Sequence, residues 1–196
     1  METVRAILFD FMGVLLFPRL DYQADSLLDA IDTRMGQVTD DEQFKLLIQQ
    51  RYQLSDDAFH EVVRRIAAKY VPFRPLWERL PLLRRSFRLA VINNGTYWTI
   101  PVFQERLDLT SMFDAFISSA REGISKPDPE IYHRAAHRLG VHPQECLFMD
   151  DSQRNIAGAQ AAGMRTLHWP SAEEGWLAFQ HWCAQQALDC NWPVQY

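Results

Sequence analysis

Five short runs of apolar, mostly branched residues punctuate the chain: VRAILFD (4–10), RLAVINN (88–94), DAFISS (114–119), ECLFMDD (145–151) and MRTLHW (164–169). Most are continuously apolar rather than alternating, the pattern of parallel strands covered on both faces. Between the later runs the spacing predicts helices over about 97–107, 128–139, 152–162 and, at the end, 171–188. Strand and helix alternating in this way predict an α/β fold, a doubly wound, Rossmann-like parallel sheet. Ser171 with Glu174, and Thr39 with Glu42, have capping-box spacing. Gly140 and Gly163 stand where two of the helices should stop.

The interval between the first two runs breaks this rhythm. Residues 18 to about 78 contain no strand-like run. In SDDAFHEVVRRIAAKY, the residues Ala58, Phe59, Val62, Val63, Ile66, Ala67 and Tyr70 fall at helical spacing, with charges opposite. Pro72 and Pro75 then punctuate the return to the sheet. Some sixty helical residues exceed a normal crossover. The expected organisation is an α/β core from residues 1–17 and 79–196, carrying a small helical cap over 18–78.

Composition narrows the partners. A chain of 196 residues suits one domain, or one domain with a small insert. The net charge of −5 argues against nucleic acid or an anionic membrane as the main partner. No apolar run approaches the ~20 residues of a membrane span, and the first residues lack the long apolar core of a signal peptide. Cys146, Cys183 and Cys190 make an odd count without metal-like spacing, as expected in a reducing cytoplasm. The pattern says nothing of oligomeric state.

In an open parallel sheet, ligands bind beyond the carboxyl ends of the strands. The first run ends on Asp10, the second on Asn93, Asn94 and Gly95, and the fourth on Asp150 and Asp151; Lys126 follows the third, just before a helix. Carboxylates crowded on one rim repel unless a cation joins them, and an all-oxygen site suits Mg²⁺. The cation and Lys126 would attract a phosphate, to which the Asn93-Asn94-Gly95 turn could donate hydrogen bonds.

With these residues in view, the chain resembles the haloacid dehalogenase superfamily of aspartate-nucleophile phosphatases and their relatives. Its four motifs match in order: LFDFMGVL, LAVINNGT, SKPDPEIY and LFMDDSQRNIAGAQAAGM. The insertion after the first motif resembles the subgroup with a small helical cap. The resemblance implies that Asp10 is the nucleophile and that Lys126 steadies it and the transferring phosphoryl group. It implies that Asp10, the backbone carbonyl of Met12 and Asp151 hold Mg²⁺, with Asp150 assisting directly or through water. Asn93, Asn94 and Gly95 would bind the phosphate of a small phosphorylated substrate.

Two positions depart from the family pattern. Asn93 replaces the usual threonine or serine, and its amide can still donate. Met12 replaces an acid/base aspartate, and a thioether neither donates nor accepts a catalytic proton. A general acid typically contributes about 10²–10⁴-fold, so its loss favours substrates with good leaving groups, such as sugar 1-phosphates. Two other readings stay open: a metal-independent 2-haloacid dehalogenase, and a catalytically silent binding module with the same fold. Elsewhere, His133 and His137 have the i, i+4 spacing of a zinc pair but read as a solvated helix face. RRSFR (84–88) reads as a solvated basic patch, and Trp176, Phe179 and Cys183 as core. Tyr97 and Trp98, just past the second motif, are candidates to face a substrate.

Overall fold

A computed structural model describes residues 3–36 and 38–186. The last two residues of the expected 171–188 helix, and Cys190, lie outside the described residues. Among the described residues seven strands form, in chain order β1 (Ala6–Phe9), β2 (Leu16–Pro18), β3 (Tyr70–Pro72), β4 (Arg88–Asn93), β5 (Ala115–Ser118), β6 (Cys146–Asp150) and β7 (Arg165–His168). Five of them make one parallel sheet in the order β5-β4-β1-β6-β7. The five apolar runs are these five strands.

Alternation along β1 explains the layering. Ala6 and Leu8 face a core that includes Ile131, Tyr132, Ile156 and Ala159, from helices Pro129–Leu139 and Gln153–Ala161. Ile7 and Phe9 face the opposite core, with Phe103, Trp169, Trp176 and Phe179, from helices Ile100–Leu107 and Ala172–Gln185 and the segment after β7. Both faces are covered, which is why the strands lack polar alternation. The helix expected from about 97 starts at Ile100, where Pro101 fits the first turn. Ser171 caps the last helix by accepting from the Glu174 N–H, and Gly140 ends its helix at φ 66°.

Between β2 and β3 run three helices, α1 (Ser26–Met35), α2 (Asp41–Tyr52) and α3 (Asp56–Ala68), around their own cluster of Leu28, Ile31, Phe44, Ile48, Phe59, Val62 and Ile66. Three expectations need correction here. The sequence predicts no strand in this interval, yet β2 and β3 pair antiparallel, Phe17 opposite Val71, where the chain leaves and rejoins the core. Strands of three residues that end in proline carry too little pattern to be seen. Tyr70, read as part of the helical face, begins β3 instead. The cap of α2 is Asp40, which accepts from the Gln43 N–H at 2.9 Å, and not Thr39. Among the described residues, no helix is long and apolar enough to cross a membrane.

Candidate active site

The chain runs from β1 outward through β4 and β5, then crosses back to β6 and β7. The strand order therefore reverses around β1, and a crevice opens at the carboxyl ends of the central strands. Asp10 follows β1 directly, and its Oδ1 accepts the Phe11 N–H at 2.7 Å. Lys126 reaches in from 116 residues away and donates through Nζ to Asp10 Oδ1 at 2.7 Å. The same Nζ donates to Asp150 Oδ2, at the end of β6, also at 2.7 Å. Lys126 is 4 % exposed and Asp150 fully buried, so this ammonium sits between two carboxylates away from bulk water.

Every member of the array is braced. Asp150 Oδ1 accepts the Ser152 N–H at 2.8 Å, and Asn155 Nδ2 donates to both Asp150 oxygens. The Asn94 side chain holds the backbone of Lys126 from both sides: its Nδ2 donates to Lys126 O, and its Oδ1 accepts the Lys126 N–H. Two glycines permit close approaches. A Cβ on Gly158 would lie 2.3 Å from Pro127 O, so helix Gln153–Ala161 can pack on the Lys126-Pro127 segment only where it has no side chain. Gly13 has φ +89°, and a Cβ there would stand 2.6 Å from Asp151 Oδ2. That vacancy lets the Asp151 carboxylate lie over the turn that follows Asp10.

Burial dominates the electrostatics. It raises the Asp10 carboxyl to about 7, against the pull of Lys126 and with help from Asp150. Burial alone would lower Lys126, but the charges of Asp10 and Asp150 override it and hold the ammonium above the usual lysine range. Asp151 is raised by burial and by the charge of Asp150. Three carboxylates facing one lysine leave the rim short of positive charge.

Asp10, Asp150 and Asp151 each offer an oxygen within 4.8 Å of the others. All-oxygen, anionic donors fit a hard divalent ion of the Mg²⁺ kind. Both oxygens of Asp150 already accept hydrogen bonds, whereas Asp10 Oδ2 takes part in none of those described above. In the turn after Asp10, Gly13 N–H donates to Leu16 O, and Leu15 and Leu16 N–H donate to Phe11 O. The Met12 carbonyl thus accepts none of the bonds that close the turn.

The second motif divides its duties differently from the sequence expectation. Asn93 is buried at the end of β4 and borders the cavity described below. Asn94 clamps Lys126 through its side chain. The Gly95 N–H, expected to face a phosphate, donates instead to Ser119 Oγ at 2.8 Å, while Gly95 O accepts from Ser118 Oγ at 2.7 Å. The cause is register: Asn93 pairs with Ser118, so the serine that ends β5 and the one that follows it meet the loop after β4.

Above the array lies a cavity of about 290 Å³. Asp10, Met12, Asn93 and Lys126 form its floor, and Asp32, Ile66 and Tyr70 come from the helical insertion and β3. Tyr97 and Trp98 do not line it. Tyr97 packs on Phe116 and Arg121, and Trp98 on Phe59 with its indole N–H donating to Asp41 O. His133 and His137 are exposed, and the only metal-like cluster among the described residues is that of Asp10, Asp150 and Asp151. Sequence reasoning missed Asn155, although its place in the first turn of the helix after Asp150 offered a signal. It also missed Asp32, for which the sequence offers none.

Comparison with known proteins adds to this geometry. A family model described as haloacid dehalogenase-like hydrolase matches residues 4–163. A phosphatase of Mycobacterium tuberculosis is 34% identical over 118 residues, 58% of this chain and 54% of that protein. Hexitol phosphatase B of Escherichia coli is 30% identical over 125 residues, 58% of this chain and 55% of that protein. The chain thus spans about half the length of these curated relatives. A HAD family enzyme of Bacteroides thetaiotaomicron, in complex with magnesium and inorganic phosphate, superposes with a TM-score of 0.66 at 18% identity, over 84% of this chain and 93% of that one.

Proposed function

The chain belongs to the haloacid dehalogenase-like hydrolases, and from that premise we propose that it is a Mg²⁺-dependent phosphatase of small phosphorylated metabolites. The observation that carries the reading is the buried Asp10–Lys126–Asp150 array on the floor of the cavity. An Asp10 oxygen attacks phosphorus, and the bond from phosphorus to the leaving oxygen breaks with its electron pair staying on that oxygen. Water then attacks the aspartyl-phosphate, which returns the carboxylate and releases inorganic phosphate. Lys126 orients Asp10 and offsets charge on the transferring group. Held by Asp10, Asp151 and the Met12 carbonyl, with Asp150 assisting directly or through water, Mg²⁺ would supply positive charge beside an anionic substrate. Asn93, through its side-chain amide, and Asn94, through its backbone N–H, border the cavity as donors to the phosphate. The phosphatase names of the curated relatives support the same reaction class, the acidic charge supports a small molecule over nucleic acid as partner, and the odd cysteine count without metal-like spacing supports a reducing cytoplasm.

The test is phosphate release across a panel of small phosphoesters, with Mg²⁺ and after chelation. Release is expected only with the metal; undiminished release after chelation would remove the metal from the proposal. Metal-independent halide release from 2-chloropropionate would favour a dehalogenase instead.

Met12 borders the cavity two residues beyond Asp10 and supplies no proton to the leaving oxygen. The native enzyme is therefore expected to prefer p-nitrophenyl, acyl or sugar 1-phosphates over simple alkyl phosphates. Met12→Asp is expected to raise kcat/KM on an alkyl phosphate more than on p-nitrophenyl phosphate. The gain falls short of the full ~10²–10⁴-fold acid/base factor, because nothing around position 12 tunes that carboxyl. Equal changes on both esters, in a folded variant, would show that position 12 does not address the leaving group.

A further inference from the structure

The cavity has one charged group opposite its reactive floor. Asp32, on α1, borders it with a side chain 15% exposed. Its Oδ2 accepts from Lys69 Nζ at 2.8 Å and from Tyr70 OH at 2.7 Å. Lys69 stands behind it, away from the cavity, and is anchored a second time by Asp29 Oδ1 at 2.9 Å. Among the described residues Asp32 Oδ1 has no hydrogen-bond partner. The roof thus carries a fixed carboxylate with one oxygen engaged by Lys69 and Tyr70 and the other without a partner among the described residues.

We propose that Asp32 selects the leaving group of the substrate, accepting a hydroxyl from a sugar or polyol phosphate and rejecting a second anionic group. This rests on the phosphatase reading and adds the identity of the group that departs. A carboxylate accepts hydrogen bonds and donates none, so only a donor satisfies Oδ1. The Tyr70 hydroxyl and the Lys69 ammonium, the donors nearest it, are already directed to Oδ2. A second phosphate or carboxylate at the roof would meet like charge with no donor to receive it. The Lys69 ammonium, 2.8 Å from Oδ2, would repel a second cation at the roof, which leaves a neutral hydroxyl as the favoured donor. The other cavity walls are largely apolar there, with Met35, Ile66 and Phe103. A volume of about 290 Å³ suits a small metabolite.

Asp32→Asn makes the proposal sharp. Lys69 and Tyr70 both donate, so they hold the amide oxygen behind and turn the amide NH₂ toward the substrate. An acceptor becomes a donor at nearly constant shape. The experiment measures kcat and KM of the wild type, Asp32→Asn and Tyr70→Phe with Mg²⁺ on α-glucose 1-phosphate, p-nitrophenyl phosphate, 2-phosphoglycolate and phosphoethanolamine.

Wild type is expected to favour the sugar phosphate over 2-phosphoglycolate by about ten-fold or more, the order expected of a hydrogen bond to a charged group. Asp32→Asn should lower the ratio of sugar phosphate to p-nitrophenyl phosphate by a similar factor, mainly through KM, and raise relative activity on 2-phosphoglycolate. Tyr70→Phe leaves Asp32 an acceptor and should keep the preference for the sugar phosphate over 2-phosphoglycolate. Ratios unchanged in an active Asp32→Asn variant overturn the role of Asp32 and leave the phosphatase standing. A wild-type preference for phosphoethanolamine overturns the hydroxyl assignment. Absence of phosphate release from every ester by the wild type overturns both readings together.

Discussion

Asp10→Asn is expected to abolish phosphate release while leaving the fold intact. The amide is a neutral, weak nucleophile and cannot form an aspartyl-phosphate, so turnover should fall by about 10³-fold or more. The fold should not suffer, because asparagine can keep the same acceptor. Its Oδ1 can receive the Phe11 N–H and Lys126 Nζ, both at 2.7 Å in the native chain, with the NH₂ replacing the open oxygen. The pH dependence of stability gives a second readout. In the metal-free protein, burial lifts Asp10 from 3.8 to about 7 against the pull of Lys126. Within that window the folded chain keeps a proton that the unfolded chain has released, so wild-type stability falls as pH rises through it. Asparagine has no such proton. Metal-free Asp10→Asn should therefore melt at or above the wild-type temperature at pH 8, with the difference widening from pH 4 to 7. Retained turnover would mean that Asp10 is not the nucleophile, whatever the melting curves show.

The strands and the residues at their ends were legible because both depend on local sequence. A run such as LFMDD states a buried strand and its polar terminus together, and the sheet topology then brings Asp10, Asn93 and Asp150 to one rim. What each residue does there was less legible, because partners lie far away in sequence. Asn94 reads only as a backbone phosphate donor, and the sequence does not show that its side-chain amide clamps the backbone of Lys126, 32 residues on. Gly95 reads the same way until Ser119 is found to take its N–H. The helical insertion hides the most. α1 is amphipathic like any surface helix, and nothing in SLLDAIDTRM tells Asp29 from Asp32. Only the packing of α1 against α3 turns one of them toward the cavity.

Lys126→Met should lower both activity and stability, and the loss of stability identifies its cause. Methionine fills similar space but leaves the buried Asp10 and Asp150 carboxylates without the cation that stands 2.7 Å from each. Removing one partner of a buried ion pair costs about 3–5 kcal/mol, chiefly because the other charge remains buried and uncompensated. For a chain of this size that lowers Tm on the order of 10 °C. Turnover should drop by about 10²–10³-fold, since the transferring phosphoryl group loses a preorganised positive neighbour. If the cost is uncompensated charge rather than lost packing, neutralising a carboxylate should reverse part of it. Asp150→Asn in the Lys126→Met background is therefore expected to raise Tm relative to Lys126→Met alone. In the native background the same change removes a partner from Lys126 and should lower Tm. This opposite sign is a coupling between the two positions that no packing defect at position 126 would produce. Thermal melts of the four proteins without metal decide it. Additive losses across the cycle would mean that Lys126 is held for its shape, and that the charge balance on the cavity floor does not stabilise the fold.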